Sequence, residues 1–260
     1  MTIKYVTLEE CADSRGTVVV IDVLRAFTTA SYAFARGAGA IYLVSSVEEA
    51  LAMRARMPNS LVMGEVDALP VPEFDLSNSP AEMCAQDLNG LNVIQRTSAG
   101  TQGMVRSSRA DNLLAAAFTC AEATVAMIRH LGCEQLTFVL SGWRGEGWGE
   151  EDAACAEYMT ERLLDRKPDP APYLQRVLDS APGRLFADPA RPEFPASDLD
   201  YCLAIDRFDF AMIARREGHD LVLRKFALEN GPPHFSRIAR LKGGKVGSRL
   251  SENQAPADAK

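Results

Sequence analysis

The sequence is poor in histidine and has no paired cysteines, and both shortages exclude common kinds of site. Among 260 residues there are 3 histidines and 6 cysteines. The cysteines are scattered singly, with no C-x-x-C pair and no Cys/His cluster at zinc-ligand spacing. We therefore expect reduced, buried thiols, because a lone cysteine without a nearby histidine usually packs as a small apolar side chain.

Excess basic charge and long apolar runs are also absent. Lys and Arg number 28 against 35 Asp and Glu, so nucleic acids and anionic lipid surfaces are poor partners. No apolar run approaches the roughly 20 residues of a membrane span, and Met1 to Lys4 lead into a strand-like segment without a signal peptide. We expect a cytoplasmic protein without nucleic-acid or membrane partners.

Short apolar runs alternate with amphipathic stretches from Thr17 to Leu164, a pattern typical of an α/β protein with a mainly parallel sheet. Five runs have a strand-like composition, and a sixth, 112–118, is ambiguous. The five are 17–21, 40–44, 60–63, 91–94 and 136–140. Helices are predicted to begin after Ser46, Ser79 and Thr119, since each has Glu three residues later.

The same pattern predicts one α/β domain over residues 1–242, with its core at 17–164. The proline-rich stretch 166–200 is expected to be looped around one helix. After it, 199–213 and 220–227 are predicted to return as a helix and a strand. Residues 243–260 are polar and rich in small side chains, so we expect a mobile C-terminal tail.

Acidic residues follow three of the predicted strands: Asp22, Glu65 and the pair Glu151 and Asp152. Because the carboxyl ends of parallel strands share one edge of a sheet, these side chains are expected to converge. A hard divalent cation makes such a cluster tolerable, and oxygen-only ligands suit Mg²⁺. The four acids are therefore predicted to bind Mg²⁺, although any one alone is more often a helix cap or a surface acid.

A loop rich in hydroxyls and glycine, Gln95 to Gly103, follows the strand at 91–94. It is neither a Walker A loop nor a dinucleotide-binding fingerprint. Its backbone N–H groups and side chains suit a phosphate, with a plain turn as the alternative. The candidate substrate-binding residues in it are Arg96, Thr97, Ser98, Gly100 and Thr101.

Two further candidates lie near helix starts. Asn78 and Ser79 precede Pro80, and a helix start favours an anion, although Asn-Ser-Pro is also an ordinary capping sequence. Arg25 follows Asp22 by three residues and can clamp a substrate oxyanion or simply be a solvated helix residue. We take Asp22 and Arg25 as candidate catalytic residues and Asn78 and Ser79 as substrate-binding ones.

Together, these segments resemble the signature of the 2-phosphosulfolactate phosphatase family. The matching segments are 20–29, 64–65, 74–80, 96–101, 151–152 and 155–156. The resemblance covers about residues 18 to 160. It implies a three-layer α/β/α fold with a mainly parallel or mixed sheet, Mg²⁺ dependence, and hydrolysis of a phosphorylated hydroxy acid in the coenzyme M pathway. A homodimer is compatible with it.

Departures from the family pattern leave the substrate open. Ser77 replaces a usual Gly, and Arg96, Ser98 and Ala99 replace Thr and Asn-Gly neighbours in the phosphate-like loop. An added arginine favours a bulkier or more anionic substrate. The small-molecule partner is therefore expected to be a phosphorylated acid.

The resulting hypothesis is phosphoryl transfer in which Mg²⁺ bridges the phosphate and either water or Asp22 attacks. Arg25, Asn78 and Ser79 then hold the carboxylate or sulfonate end. A haloacid-dehalogenase-type phosphatase is the nearest alternative enzyme, but its opening motif has a second Asp where this chain has Leu24. A non-catalytic oxyanion-binding module is the alternative from another class.

Overall fold

The computed structural model describes residues 1–142 and 148–227, which form ten strands and nine α-helices in those ranges. The strands are β1 (Thr2–Thr7), β2 (Thr17–Ile21), β3 (Ile41–Leu43), β4 (Ser60–Val66), β5 (Leu69–Pro70), β6 (Asn92–Arg96), β7 (Asn112–Ala116), β8 (Gln135–Leu140), β9 (Phe210–Glu217) and β10 (Asp220–Ala227). The helices are α1 (Ala26–Ala35), α2 (Val47–Arg56), α3 (Pro80–Cys84), α4 (Gly100–Arg106), α5 (Ala121–Leu131), α6 (Glu150–Leu163), α7 (Ala171–Asp179), α8 (Ala181–Leu185) and α9 (Ser197–Cys202).

Two parallel blocks make up the sheet, and a β-hairpin separates them. One block has the order β1-β8-β2-β7, and the other has the order β3-β6-β4 with β5 antiparallel at its edge. Strands β9 and β10 lie between the blocks, and the pairs β7–β9, β9–β10 and β10–β3 are all antiparallel. The two blocks therefore run in opposite directions along the hydrogen-bond ladder, so the sheet is mixed.

Because the sheet is mixed, the carboxyl ends of its strands do not all lie at one edge, and the predicted acids need another reason to lie close together. Asp22 follows β2 in one block and Glu65 lies on β4 in the other, so a shared edge of parallel strands does not explain their approach. Sheet twist of about 20–25° per strand pair accumulates to roughly 100–125° over the five steps from β2 to β6. Strands that are antiparallel by hydrogen-bond pairing consequently need not point in opposite directions in space. One contact joins the two blocks directly: Gln95 of β6 donates a 2.9 Å hydrogen bond to the carbonyl of Ala26, at the start of α1.

Helices cover both faces of the sheet and give the three α/β/α layers expected from the sequence. Side chains alternate along a strand, so Val18 and Val20 of β2 belong to the same buried cluster as side chains of α1, α3 and α4, while Val19 and Ile21 belong to a second cluster with side chains of α5 and α6. Helix α2 lies over β4 and β6. All five residues of β2 are buried, because helices lie on both of its faces.

Most of the strand and helix predictions are confirmed. All five expected strands are present within a few residues of their predicted bounds, and the ambiguous segment 112–118 contributes β7. Ser46 and Ser79 cap α2 and α3, since each side chain accepts a hydrogen bond from the backbone N–H three residues later, at 3.1 and 3.2 Å.

The predicted cap of α5 is wrong. Thr119 lies in a 3₁₀ turn, and its hydroxyl hydrogen-bonds to Ser31 at 2.9 Å. Asp206 instead accepts a 2.6 Å hydrogen bond from the backbone N–H of Glu122, in the first turn of α5. The donor is therefore satisfied by a side chain 84 positions away, which no local sequence pattern reveals.

The proline-rich stretch 166–200 holds more helix than its composition indicates: α7 and α8 lie inside it and α9 begins there. Pro172 and Pro182 fall in the first turns of α7 and α8, where a missing N–H breaks no helical hydrogen bond. The helix expected over 199–213 is replaced by α9 and β9, whereas the strand at 220–227 is confirmed as β10.

The described ranges also test the expectations for membrane spans and cysteines. None of their helices is long and apolar enough to cross a membrane, and all six cysteines are free thiols. The single domain predicted for 1–242 extends past Ala227, and the tail predicted at 243–260 lies outside the described residues.

Candidate active site

A cavity of about 190 Å³ lies among the end of β2, the end of β4 and the start of α6. Its polar wall includes Asp22, Arg25, Glu65, Asp67, Asn78, Ser98 and Glu151. Its apolar wall includes Leu24, Ala68, Ala99, Trp148, Pro182, Leu185 and Phe194. Six of the predicted site residues therefore line one cavity, although they come from distant parts of the chain.

Asp22 is held between the starts of two helices. Its Oδ1 accepts a 2.9 Å hydrogen bond from the backbone N–H of Ala26, at the start of α1. On the other side, a Cβ added to Gly100 would lie only 2.7 Å from Asp22 Oδ2, so α4 can approach this carboxylate because its first residue is glycine. Helix starts favour negative charge, and this packing fixes the orientation of the carboxylate.

Glu65 connects the β4–β5 hairpin to the loop after β6. Its Oε1 accepts a hydrogen bond of 2.5 Å from the Ser98 N–H, and its Oε2 accepts one of 3.1 Å from the Ser98 hydroxyl. Oε2 also accepts a 2.6 Å hydrogen bond from the N–H of Ala68. The carboxylate therefore positions Ser98 on the cavity wall while itself facing the same space.

The two neighbouring acids of α6 have different environments. Asp152 accepts hydrogen bonds from the N–H groups of Val23 and Gly142, both at 2.9 Å, and from the Ser141 hydroxyl at 3.3 Å. Glu151 is also buried, but its Oε2 has no hydrogen-bond partner among the described residues. Glu151 lines the cavity and Asp152 does not, so Asp152 holds the surrounding loops together.

Burial and mutual repulsion raise the pKa values of these acids. Burial, with the charge of Glu65 as a smaller cause, raises the pKa of Asp22 to about 6. Burial, followed by the charge of Asp22, raises the pKa of Glu151 to about 7. The pKa of Asp152 lies well above its usual range because of burial and then the charges of Glu151 and Asp22. The cluster therefore has a strong tendency to bind protons or another cation.

The residues present fit a metal that is only partly held by protein. Within 1–142 and 148–227, no group of three or more His, Cys, Asp or Glu side chains is placed to hold a metal ion. Mg²⁺ commonly binds one or two protein carboxylates and completes its coordination with waters and substrate phosphate oxygens. The unpartnered Glu151 Oε2 beside Asp22 suits this arrangement, and the amide oxygen of Asn78 is also buried without a partner among the described residues.

Arg25 is not a solvated helix residue. Its Nη1 donates a 2.7 Å hydrogen bond to Asp198 Oδ2, and this ion pair is buried. The guanidinium lies over the rings of Phe186 and Phe194, at 5.2 and 5.4 Å from their centroids. Ser79 donates its hydroxyl to Asp198 Oδ1 at 2.6 Å, so this predicted binding residue supports the ion pair and is not on the cavity wall.

Most of the predicted phosphate loop is engaged in internal hydrogen bonds. Arg96 Nη1 donates to the carbonyl of Glu65 at 2.6 Å and to Ser98 Oγ at 3.0 Å. The N–H of Thr97 donates to Thr101 Oγ1 at 2.8 Å, and the N–H of Thr101 donates to Thr97 Oγ1 at 3.1 Å. Arg96, Thr97 and Thr101 therefore shape the loop, and Ser98 is the one of the five candidates in it that lines the cavity.

Sequence reasoning missed Asp198 and the apolar wall. Asp198, Phe186 and Phe194 all belong to the proline-rich segment, where the only signal was the presence of aromatic side chains among the prolines. A larger open groove of about 1060 Å³ lies at the opposite ends of β2, β7 and β8, but it includes none of the predicted site residues.

An α/β sheet with buried carboxylates and an arginine around one small cavity indicates an enzyme with a small-molecule substrate. The chain belongs to the 2-phosphosulpholactate phosphatase family, whose sequence model matches residues 4–217. It is therefore a phosphoric monoester hydrolase by family, and the family resemblance inferred from the motifs is confirmed.

Three similar proteins are all described as probable 2-phosphosulfolactate phosphatases. The protein of Bacillus subtilis (strain 168) is 31% identical over 201 residues, which cover 77% of this chain and 87% of that protein. The protein of Carboxydothermus hydrogenoformans is 36% identical over 58% of this chain, and that of Deinococcus radiodurans is 35% identical over 56%. The match spans 61% of the length of each of these last two relatives.

Proposed function

We propose that the protein is a Mg²⁺-dependent phosphatase that hydrolyses 2-phosphosulfolactate, or a related phosphorylated 2-hydroxy acid, to the hydroxy acid and phosphate. The observation that supports this most directly is that Asp22, Glu65 and Glu151 line one cavity together with Arg25. The descriptions of similar proteins agree with this substrate class.

The acids divide into proposed ligands and support. Asp22, Glu65 and Glu151 all face the cavity. Asp22 and Glu151 are the proposed protein ligands of Mg²⁺, while Glu65 holds Ser98 and Asp152 fixes the surrounding loops. When bound, Mg²⁺ supplies positive charge to the phosphate oxygens. The unpartnered oxygen of Glu151 and the raised pKa of Asp22 support this assignment, because both signal a place suited to a cation.

The phosphate is proposed to lie against Ser98 and the backbone of Ala99, next to Asp22. Thr97 and Thr101 keep that loop in shape through their reciprocal hydrogen bonds. Two nucleophiles suit this arrangement: a water oriented by Asp22, or the Asp22 carboxylate itself. Trapping with hydroxylamine distinguishes them, because only attack by Asp22 leaves an acyl phosphate that forms a hydroxamate.

The acid group of the substrate is proposed to bind Arg25 and Asn78. Arg25 is a buried side chain on the cavity wall, and a charge-assisted hydrogen bond from its guanidinium to a carboxylate or sulfonate is strong. Asn78 lies on the same wall. Bound at both ends, the ester is oriented for in-line displacement at phosphorus.

A phosphate-release assay tests reaction class, metal and substrate together. The substrates are 2-phosphosulfolactate, 2-phospholactate, phosphoglycolate and phosphoglycerate, each with Mg²⁺ and with a chelator. We expect Mg²⁺-dependent release with at least one of them, and no turnover by Asp22→Asn although it remains folded by circular dichroism. Wild-type activity in the chelator, or in Asp22→Asn, would contradict the metal and nucleophile assignments.

Calorimetry with the same four esters separates catalysis from binding. Tight binding of an ester without phosphate release would favour the oxyanion-binding module over the phosphatase.

A further inference from the structure

We propose that Asp198 is a positioning residue that fixes the guanidinium of Arg25 for the acid group of the substrate. This inference rests on the proposed function. Asp198 lies in the first turn of α9, 173 positions after Arg25, and makes no direct contribution to the cavity wall. Its effect on the reaction is therefore exerted through Arg25.

Asp198 is itself held in place from three directions. It is fully buried, and its Oδ2 accepts the 2.7 Å hydrogen bond from Arg25 Nη1. Its Oδ1 accepts hydrogen bonds of 2.6 Å from the Ser79 hydroxyl and 3.1 Å from the N–H of Ala81. Because the two oxygens are held by different elements, the carboxylate gives Arg25 a fixed anchor rather than a mobile counter-ion.

Two aromatic rings complete the restraint on Arg25. Phe186 and Phe194 lie 5.2 and 5.4 Å from the guanidinium carbon, and both come from the segment that leads to Asp198. Within the described ranges, the guanidinium donates its one hydrogen bond to Asp198. Its remaining N–H groups are thus left for a ligand in the cavity that Arg25 lines.

This geometry concentrates recognition of the acid group on one side chain. Among the described residues, Arg25 is the only arginine or lysine on the cavity wall, whereas Asp22, Glu65, Asp67 and Glu151 contribute negative charge. An arginine that is oriented before the substrate arrives loses little conformational freedom on binding. Asp198 therefore tunes affinity for the acid group and leaves the chemical step at phosphorus unchanged.

The test compares two esters that differ only in the acid group: 2-phospholactate, and isopropyl phosphate, in which a methyl replaces the carboxylate. For Asp198→Asn we expect KM for 2-phospholactate to rise about tenfold or more, because the arginine loses its charged partner. The KM for isopropyl phosphate and kcat for both esters should stay within about twofold of wild type. A purely structural ion pair would instead change both esters alike, which would overturn the proposal.

A double-mutant cycle tests whether Asp198 acts through Arg25. In an Arg25→Met background, adding Asp198→Asn should leave KM for 2-phospholactate unchanged, whereas an additive effect would contradict the proposal. Asp206→Asn is the matched control, because it also converts a carboxylate that accepts a backbone N–H, but at the start of α5. It should preserve both KM values.

A second variant keeps the test informative if Asp198→Asn does not fold. Phe186→Leu removes one ring from the guanidinium but keeps the ion pair, and Phe186 does not line the cavity; it should raise KM for 2-phospholactate about two- to fivefold without affecting isopropyl phosphate. Equal changes for the two esters would again overturn the proposal.

Failure of the proposed function gives a different result. In that case the wild type hydrolyses neither ester with Mg²⁺. Calorimetric titration of both esters into the wild type and Asp198→Asn still measures selectivity for the carboxylate. Wild-type preference for 2-phospholactate that is lost in the variant supports the role of Asp198, and preference that is retained contradicts it.

Discussion

Asp152 accepts a 2.9 Å hydrogen bond from the backbone N–H of Val23, although 129 positions separate the two residues. The same buried carboxylate accepts a hydrogen bond from the N–H of Gly142. It therefore joins the exit of β2, the exit of β8 and the start of α6. The adjacent Glu151 leaves Oε2 without a partner among the described residues and faces the cavity. Of these two neighbouring acids, Asp152 therefore stabilises the fold and Glu151 is available to the cavity.

Asp152→Asn is expected to destabilise the fold. In Asp152 the two carboxylate oxygens accept hydrogen bonds from two different backbone N–H groups. Asparagine keeps only one acceptor oxygen, so its NH₂ group would face one of these N–H groups and leave it without an acceptor. Losing a buried hydrogen-bond network of this kind lowers the free energy of unfolding by about 2–4 kcal/mol. Urea denaturation of the metal-free variant measures this loss.

Glu151→Gln is the matched comparison, because it makes the same chemical change one residue away. We expect its free energy of unfolding to equal or exceed that of wild type, since the change removes a buried charge that repels Asp22. Phosphate release should nevertheless fall by about 100-fold or more, because losing even a residue that only supports a metal ligand costs roughly 10–100-fold. Equal destabilisation of the two variants would contradict the division of roles.

The stability of the metal-free protein should fall as the pH rises towards neutrality. Folding raises the pKa of Asp22 from 3.8 to about 6 and that of Glu151 from 4.5 to about 7. Between these limits the folded state binds more protons than the unfolded state, so the stability present below about pH 4 is lost as pH passes through about 6 and 7. Urea denaturation in chelator should show this decline for wild type and a smaller one for the Asp22→Asn/Glu151→Gln double variant.

Mg²⁺ should reverse that loss at pH 7.5. A ligand that binds only the folded state adds about 2.7 kcal/mol to the free energy of unfolding at 100 times its Kd. The stabilisation should shrink at pH 5, because protonated carboxylates bind metal poorly. Thermal denaturation with and without Mg²⁺ at both pH values measures the effect. An unchanged melting temperature at pH 7.5 would contradict a Mg²⁺ site.

Local sequence patterns were sufficient for the separate parts of the fold and site. The apolar runs that end at Ile21 and Leu140 are strands because β-branched and aromatic residues lie between clear turn signals. Asp22, Glu65 and Glu151 were identified because each follows such a run, and all three line one cavity. Their chemical roles remain predictions.

Contacts between distant parts of the chain cannot be predicted from local sequence patterns. The β9–β10 hairpin is formed after residue 209, yet it reverses the direction of the block that carries Glu65. Asp198 lies outside any recognised motif, and only tertiary packing shows that it pairs with Arg25. Such contacts depend on the register and twist of the whole sheet.

Gly100 and Gly103 provide a final test of the Asp22 geometry. A Cβ on Gly100 would lie 2.7 Å from Asp22 Oδ2, whereas one on Gly103 would lie 2.6 Å from Val20 Cγ1 in the core. Either alanine should lower the free energy of unfolding by about 1–3 kcal/mol, because overpacking forces neighbours to shift. Only Gly100→Ala should also lower kcat, by about tenfold or more, since it displaces a reacting carboxylate. Phosphate release per folded molecule measures this, and equal kcat values for the two variants would show that the position of Asp22 does not govern turnover.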